Sequence, residues 1–151
     1  MGVRVASVGV TAGALIAVLA LPASSALARG STTNAFTVVG VKALPDGHVL
    51  AHGQLNTVVA TTALAFRVAV RNESGVARRP KVTLRINRGT LGGPVIVTRT
   101  LGLVRPHETG SVIFSKLGNM AFAQNNKLIV RVSGHAARTR FAVYSVIFAL
   151  G

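Results

Sequence analysis

Three carboxylates are the only acidic side chains in this 151-residue chain, and acid–base or metal chemistry usually depends on such groups. Asp46 lies in the sequence Pro-Asp-Gly, Glu73 in Asn-Glu-Ser-Gly and Glu108 in Pro-His-Glu-Thr-Gly. Turn stabilisation or solvation accounts for each of these positions without catalysis. A hydrolase would require the three to converge in one cleft, and nothing in their spacing predicts that.

Histidines and nucleophiles give no stronger pattern. His48 and His52 have an i, i+4 spacing that would suit a metal ion on a helix, but they flank Val-Leu-Ala in a β-like run. A bound ion would also need two further ligands, and His107 and His135 are remote in the sequence. The chain has no Cys, no Gly-x-Ser-x-Gly elbow and no glycine-rich phosphate loop before a helix. The sequence therefore predicts no enzyme, no metal site and no cofactor.

Basic residues are the one chemical feature above background. Seventeen Lys and Arg residues against three acids give a formal net charge of +14, and such an excess attracts anionic polymers and surfaces. Arg78, Arg79 and Lys81 form a compact cluster at the start of a predicted strand. Further arginines occupy positions predicted to face solvent: Arg67, Arg71, Arg85, Arg99 and Arg131.

Strands that share a sheet would combine these arginines into a basic face. The candidate anionic-ligand contacts are Arg78, Arg79, Lys81, Arg85, Arg99 and Arg131. The alternative is that the arginines only keep the surface soluble, without a specific ligand. Specific nucleic-acid binding is not predicted, because the six Phe and one Tyr fall mostly on core-like positions rather than on exposed stacking platforms.

The first 28 residues predict an export signal. Arg4 precedes an apolar run over 8–21 that is directly followed by Pro22, and the small residues of Ala26-Leu27-Ala28 fit a signal peptidase site. Cleavage is expected between Ala28 and Arg29. An uncleaved membrane anchor is the alternative, since the apolar stretch is only slightly shorter than the ~20 residues that span a bilayer. The protein is accordingly expected to be secreted or held at the cell surface.

The remaining chain predicts a flexible lead-in over 29–34 and one domain over 35–151. Without Arg4, sixteen basic residues face three acids, so the exported part carries +13. With no cysteine, this domain must be held by packing alone. No internal repeat indicates a second domain.

Short β-rich runs separated by Gly, Pro, Asn or Asp predict the fold. In one run, Val82, Leu84 and Ile86 share a face, and such one-sided strands are typical of antiparallel sheets with a buried and a wet side. The run over 140–150 is apolar on both faces and is expected to be central and well covered, while 117–126 is the one segment that could hold a helical turn. The predicted strands are 36–44, 48–52, 61–70, 81–87, 94–101, 110–116, 127–133 and 140–150.

These runs predict an all-β chain: an immunoglobulin-like antiparallel β-sandwich of about seven to eight strands, preceded by the signal-peptide helix. An up-and-down barrel is the structural alternative.

The order of the signals resembles CARDB-like members of the immunoglobulin-like superfamily, which occur in exported proteins of bacteria and archaea. The resemblance covers Ala63 to Gly151 and rests on turns and inward apolar positions. The turns here carry arginine where the family's turns are often acidic or rich in Asn. The matching segments are ALAFRVAVRNESG, RRPKVTLRI, VRPHETGSVIF, KLIVRVSG and VYSVIFALG.

Charge and resemblance together predict a non-enzymatic exported module at the cell envelope. Its expected partners are an anionic envelope polymer, lipid head groups or another surface protein. A protein–protein module that uses a sheet edge or loop tips is the second hypothesis. No small-molecule substrate is indicated.

Overall fold

A computed structural model describes residues 35–88, 92–118, 120, 125–134 and 139–151. The described part is all-β, as predicted, and contains no helix. The predicted signal peptide, its cleavage site at Ala28 and Arg29, and the lead-in over 29–34 lie outside the described residues. The strands are β1 (Phe36–Leu44), β2 (Leu55–Ala60), β3 (Ala65–Asn72), β4 (Lys81–Ile86), β5 (Val95–Thr100), β6 (Thr109–Phe114), β7 (Asn125–Ser133) and β8 (Arg140–Leu150).

The strands of the described ranges form two sheets. The three-stranded sheet has the order β1-β3-β6, and the five-stranded sheet has the order β2-β8-β7-β4-β5. Among these strands, β2 and β8 pair in parallel, which departs from the predicted antiparallel arrangement, and the other pairs are antiparallel. Because β1 and β2 lie in different sheets, sequential strands do not simply pair with one another, which rules out the up-and-down arrangement.

The core lies between the inward faces of the two sheets. Val82, Leu84 and Ile86 of β4 are buried on alternate positions, as their spacing predicts. Phe66 of β3 meets Phe148 of β8 across the sandwich, with ring centroids 6.5 Å apart and ring planes at 64°. This edge-to-face contact joins the middle strand of one sheet to an inner strand of the other.

A buried asparagine fastens two loops at one end of the sandwich. The Asn72 amide donates hydrogen bonds to the carbonyls of Val76 (2.8 Å) and Val104 (3.0 Å). Its side-chain oxygen accepts from the backbone N–H (3.0 Å) and hydroxyl (2.7 Å) of Ser74. Asn72 therefore sets the shape of the predicted turn after β3 and ties it to the segment before β6.

The predicted strand over 48–52 is wrong, and the sequence patterns miss β2. This segment folds back along β1, but its strand pairing is limited to the bridge between Lys42 and Val49. The side chain of Asn56 accepts from Ala51 N–H (2.7 Å) and donates to the Ala51 carbonyl (3.0 Å), which diverts the chain into a loop. Asn56 also occupies an inward position of β2, so the apolar alternation that would reveal this strand is broken.

One smaller expectation lies partly outside the described residues, and another needs correction. Of the segment 117–126, which is predicted to allow a helical turn, residues 119 and 121–124 lie outside the described part, and Asn125 and Asn126 begin β7. Strand β8 does lie between β2 and β7, yet it is covered on one face only. Its outward residues Phe141 and Val143 are 63% and 41% exposed, respectively.

Candidate functional site

Three of the predicted contact residues lie together on the outward side of the five-stranded sheet. Lys81 and Arg85 are on β4, and Arg131 is on β7 directly opposite Thr83. In an antiparallel pair, positions diagonal to a residue lie about 7–8 Å away, so Lys81 and Arg85 flank Arg131 on either side. All three side chains are exposed.

We call the outward positions of β4, β5, β7 and β8 the cationic face. Lys127, which the sequence analysis does not single out, adds a fourth positive charge on β7. Its alternation with Ile129 and Arg131 is a sufficient signal to find it. The chain's three acids all lie outside the strands of this sheet, so no carboxylate within those strands offsets the charge.

Arg99 does not join this face. It pairs with Val82, which is fully buried, so the register places Arg99 on the inward side of β5. It is exposed nevertheless, because β5 is an edge strand of a five-stranded sheet whose partner sheet has only three strands within the described ranges. Its predicted solvent exposure is confirmed, whereas membership of one face requires the pairing register, which a lone sequence does not supply.

Arg78 and Arg79, the two members of the predicted cluster that precede β4, have different environments. Arg78 is partly buried; its backbone pairs with Val104, and its Nε donates to the Ser74 hydroxyl at 3.3 Å. Arg79 is exposed. Arg79 is therefore an exposed positive charge two residues before Lys81, while Arg78 also contacts the turn after β3.

Contacts among the side chains of the cationic face fix several of its polar groups. The Arg131 guanidinium lies 5.9 Å from the centre of the Phe141 ring, within cation–π range. Arg85 donates from Nε to the Asn87 side chain at 3.2 Å, and the hydroxyls of Thr83 and Thr98 are 2.9 Å apart. A depression of ≈ 270 Å³ lies among Thr83, Arg85, Ile96, Ile129, Arg131 and Phe141.

The three acids do not converge at one site. Glu73 pairs with Arg71 at 3.6 Å and Glu108 with Arg105 at 4.0 Å, both at one end of the three-stranded sheet. Asp46 follows β1 at the opposite end of strand β3, about 23 Å away for a strand of that length. The described residues contain no group of three or more His, Cys, Asp or Glu placed to hold a metal ion.

A second concave region, of ≈ 540 Å³, lies between β1 and the first half of β8. Strand β2 pairs with β8 only from Ser145 onward, so among the described residues Arg140–Tyr144 have no backbone partner on that side. His52 meets Tyr144 here edge to face, with ring centroids 5.7 Å apart. Burial raises the pKa of the Tyr144 phenol, which keeps the group neutral at ordinary pH.

Comparison with known proteins assigns no family. No family model matches the chain, and no curated protein matches it. Solved structures give distant likenesses. A β-glucosidase from Erythrobacter marinus matches with a TM-score of 0.41 and 14% identity, over 74% of this chain and 15% of the enzyme.

Two other likenesses are of the same order. A Listeria innocua β-glucosidase in complex with gluconolactone has a TM-score of 0.37 and 14% identity, over 77% of this chain and 16% of that one. A Pseudomonas fluorescens alkylpurine DNA glycosylase bound to DNA containing an abasic site analog matches with a TM-score of 0.39 and 7% identity, over 76% of this chain and 31% of that one. This chain thus spans a small part of each protein, and at TM-scores below 0.5 neither fold family nor activity is assigned from them. The described residues include no apolar helix of membrane-spanning length.

Proposed function

We propose that this chain is an exported, non-enzymatic β-sandwich module that binds an anionic component of the cell envelope through the cationic face. The observation that carries the proposal is the concentration of Lys81, Arg85, Lys127 and Arg131 on one side of a sheet whose strands contain no acid. A surface of this kind concentrates anionic partners by long-range attraction. The leader over residues 1–28 supports export, and mass spectrometry of the exported chain is expected to find Arg29 as its first residue.

Within this proposal, the fold is an immunoglobulin-like sandwich of the CARDB-like kind. Strands β8, β7 and β4 are adjacent, as strands G, F and C are in immunoglobulin domains, and β1, β3 and β6 are ordered like A, B and E. The family resemblance of residues 63–151 favours a binding or structural module rather than an enzyme. The separation of Asp46 from Glu73 and Glu108 supports the same choice, since a hydrolase built on these acids would need them in one cleft.

The test compares two charge-matched double variants of residues 29–151, called the mature chain below, on an immobilised polyphosphate resin. Arg85→Ser with Arg131→Ser removes two charges from the cationic face, and Lys42→Ser with Arg67→Ser removes two from the outward side of the other sheet. We expect the first pair to elute at clearly lower salt and to reduce the slope of log affinity against log salt by about one to two. The second pair is expected to elute close to the wild type.

Equal retention of the two double variants and the wild type would remove the cationic face from consideration. If both variants lost retention equally, net charge alone would explain the binding, as in the interpretation that the arginines only keep the surface soluble. Arg79→Ser with Lys81→Ser extends the test to the start of β4, where both side chains are exposed. Arg78 is left unchanged, because its contact with Ser74 would confound folding with binding.

The second candidate is a protein–protein module that uses the edge of β8. The specific observation is that, within the described ranges, the backbone of Arg140–Tyr144 pairs with β7 on one side only and has no strand partner on the side of the groove lined by Val38, Leu50 and Tyr144. An extended partner segment added to this edge would be held by main-chain hydrogen bonds. Salt separates the two candidates: binding that survives about 1 M salt, where the Debye length is about 3 Å, would favour the edge over the cationic face.

A further inference from the structure

The cationic face is also unusually apolar for the outside of a sandwich. Outward positions of antiparallel sheets are normally polar. Here Phe141 is 63% exposed, Ile96 is 56% exposed and Val143 is 41% exposed, and Ile129 lies between them. On the other sheet, the outward positions of β3 and β6 carry one large apolar side chain, Ile113, and two further exposed valines lie on β1 (Val39) and on the segment bridged to it (Val49).

The register interleaves these apolar side chains with the charges. Arg131 is opposite Phe141 on β8, and Arg85 is opposite Ile129 on one side and Ile96 on the other. Ile129 in turn is opposite Val143. Each arginine on this face therefore has an exposed or half-buried apolar neighbour on an adjacent strand, about 4.5–5.5 Å away at Cβ.

We infer that the ligand of this face is the surface of an anionic lipid bilayer, an inference that rests on the proposed function. Lys and Arg side chains bind anionic head groups, and apolar side chains on the same surface enter the boundary between head groups and acyl chains. The long apolar stems of Arg85 and Arg131 permit both contacts at once, because such side chains can pack their stems along apolar surface while their charged ends stay among the head groups. The described residues thus present both components on one side of one sheet.

Other occupants of this face fit less well. A soluble polyanion satisfies the charges but offers no apolar environment for Phe141, Ile96 and Val143. A second copy of this chain would bury those residues but would bring Arg85 and Arg131 against their own counterparts on a face whose strands contain no carboxylate. Like charges in that position oppose association.

The test measures co-sedimentation of the mature chain with phosphatidylcholine vesicles prepared with and without phosphatidylglycerol. The wild type is expected to bind only the anionic vesicles. Phe141→Ser with Val143→Ser is expected to lower that affinity on the order of tenfold, because about two apolar side chains no longer enter the interface. The same variant is expected to keep its retention on polyphosphate resin, since no charge has changed.

One control and one further test variant keep the result interpretable. Ile113→Ser removes an exposed apolar residue from the other sheet and should leave vesicle binding unchanged. Ile96→Ser, on edge strand β5, should weaken vesicle binding without touching the Arg131–Phe141 contact. Thermal unfolding of each variant confirms that the sandwich is intact.

Vesicle binding that is unchanged in both Phe141→Ser/Val143→Ser and Ile96→Ser would overturn the bilayer assignment. So would retention on polyphosphate by a wild type that ignores anionic vesicles, in which case the proposed function stands with a polymer as its ligand. Failure of the proposed function has a different signature: the Arg85/Arg131 and Lys42/Arg67 variants would behave alike on the resin.

Discussion

Replacing Phe148 with alanine is expected to lower the free energy of unfolding by about 3–5 kcal/mol. Phe148 is 1% exposed, and its ring meets Phe66 of the opposite sheet edge to face. The alanine variant loses the buried ring and leaves a cavity between two sheets that cannot fully collapse. Urea unfolding of the mature chain measures the change, provided that the slope of unfolding free energy against urea concentration is the same for wild type and variant.

Phe141→Ala is the matched control, because it removes the same side chain from the same strand on the outward face. Because Phe141 is 63% exposed, this substitution is expected to lower the free energy of unfolding by less than about 1 kcal/mol. Since neighbouring positions of a strand alternate between faces, a one-residue change of register would exchange the two results. Equal costs for the two substitutions, or a larger cost for Phe141, would contradict the register of β8.

Replacing Asn72 with leucine is expected to lower the free energy of unfolding by about 2–4 kcal/mol, although leucine is similar in size and more apolar. The carbonyls of Val76 and Val104 and the Ser74 N–H would each lose a partner inside the protein. Chemical denaturation measures the loss. Asn125→Ala, at an exposed asparagine of β7, is the control and is expected to fall within about 0.5 kcal/mol of the wild type.

Asn72→Asp separates hydrogen bonding from packing at the same site. An ionised carboxylate cannot donate to the carbonyls of Val76 and Val104, whereas a protonated one can donate once. Burial against those carbonyls would raise the pKa of the new carboxyl, so the variant is more stable at acid pH and loses that stability as pH rises. A variant as stable as the wild type at neutral pH would show that the Asn72 amide is not what fastens the two loops.

Strands with clean alternation could be predicted from the sequence, and those with a buried polar residue could not. β1 and β8 have the predicted bounds, and β4 differs by one residue. β2 escapes prediction because Asn56 takes an inward position, where its amide is satisfied by the carbonyls of Ala51, Gln54 and Ser145. Ser145 is 89 positions away in the sequence, so no local pattern predicts that Asn56 is buried.

The sequence predicts the positive charges of the candidate site but not its exposed apolar side chains. The outward positions predicted for Lys81, Arg85 and Arg131 agree with the structure. Exposure alone does not reveal that Arg99 belongs to the other side of its sheet, since that depends on its pairing with Val82. The sequence predicts that Phe141 and Val143 are covered, because an apolar run does not show which of its faces has a neighbour.

Titration of the ¹⁵N-labelled mature chain with tripolyphosphate tests the binding surface most directly, through the Nε–H signals of individual arginines. The largest shifts are expected at Arg85 and Arg131, because their guanidinium groups lie on the cationic face and bind phosphate oxygens. Arg67 and Arg71, on the outward side of the other sheet, are expected to move little. Shifts that are largest at Arg67 and Arg71, or uniform over all four, would contradict the assignment of anion binding to the five-stranded sheet.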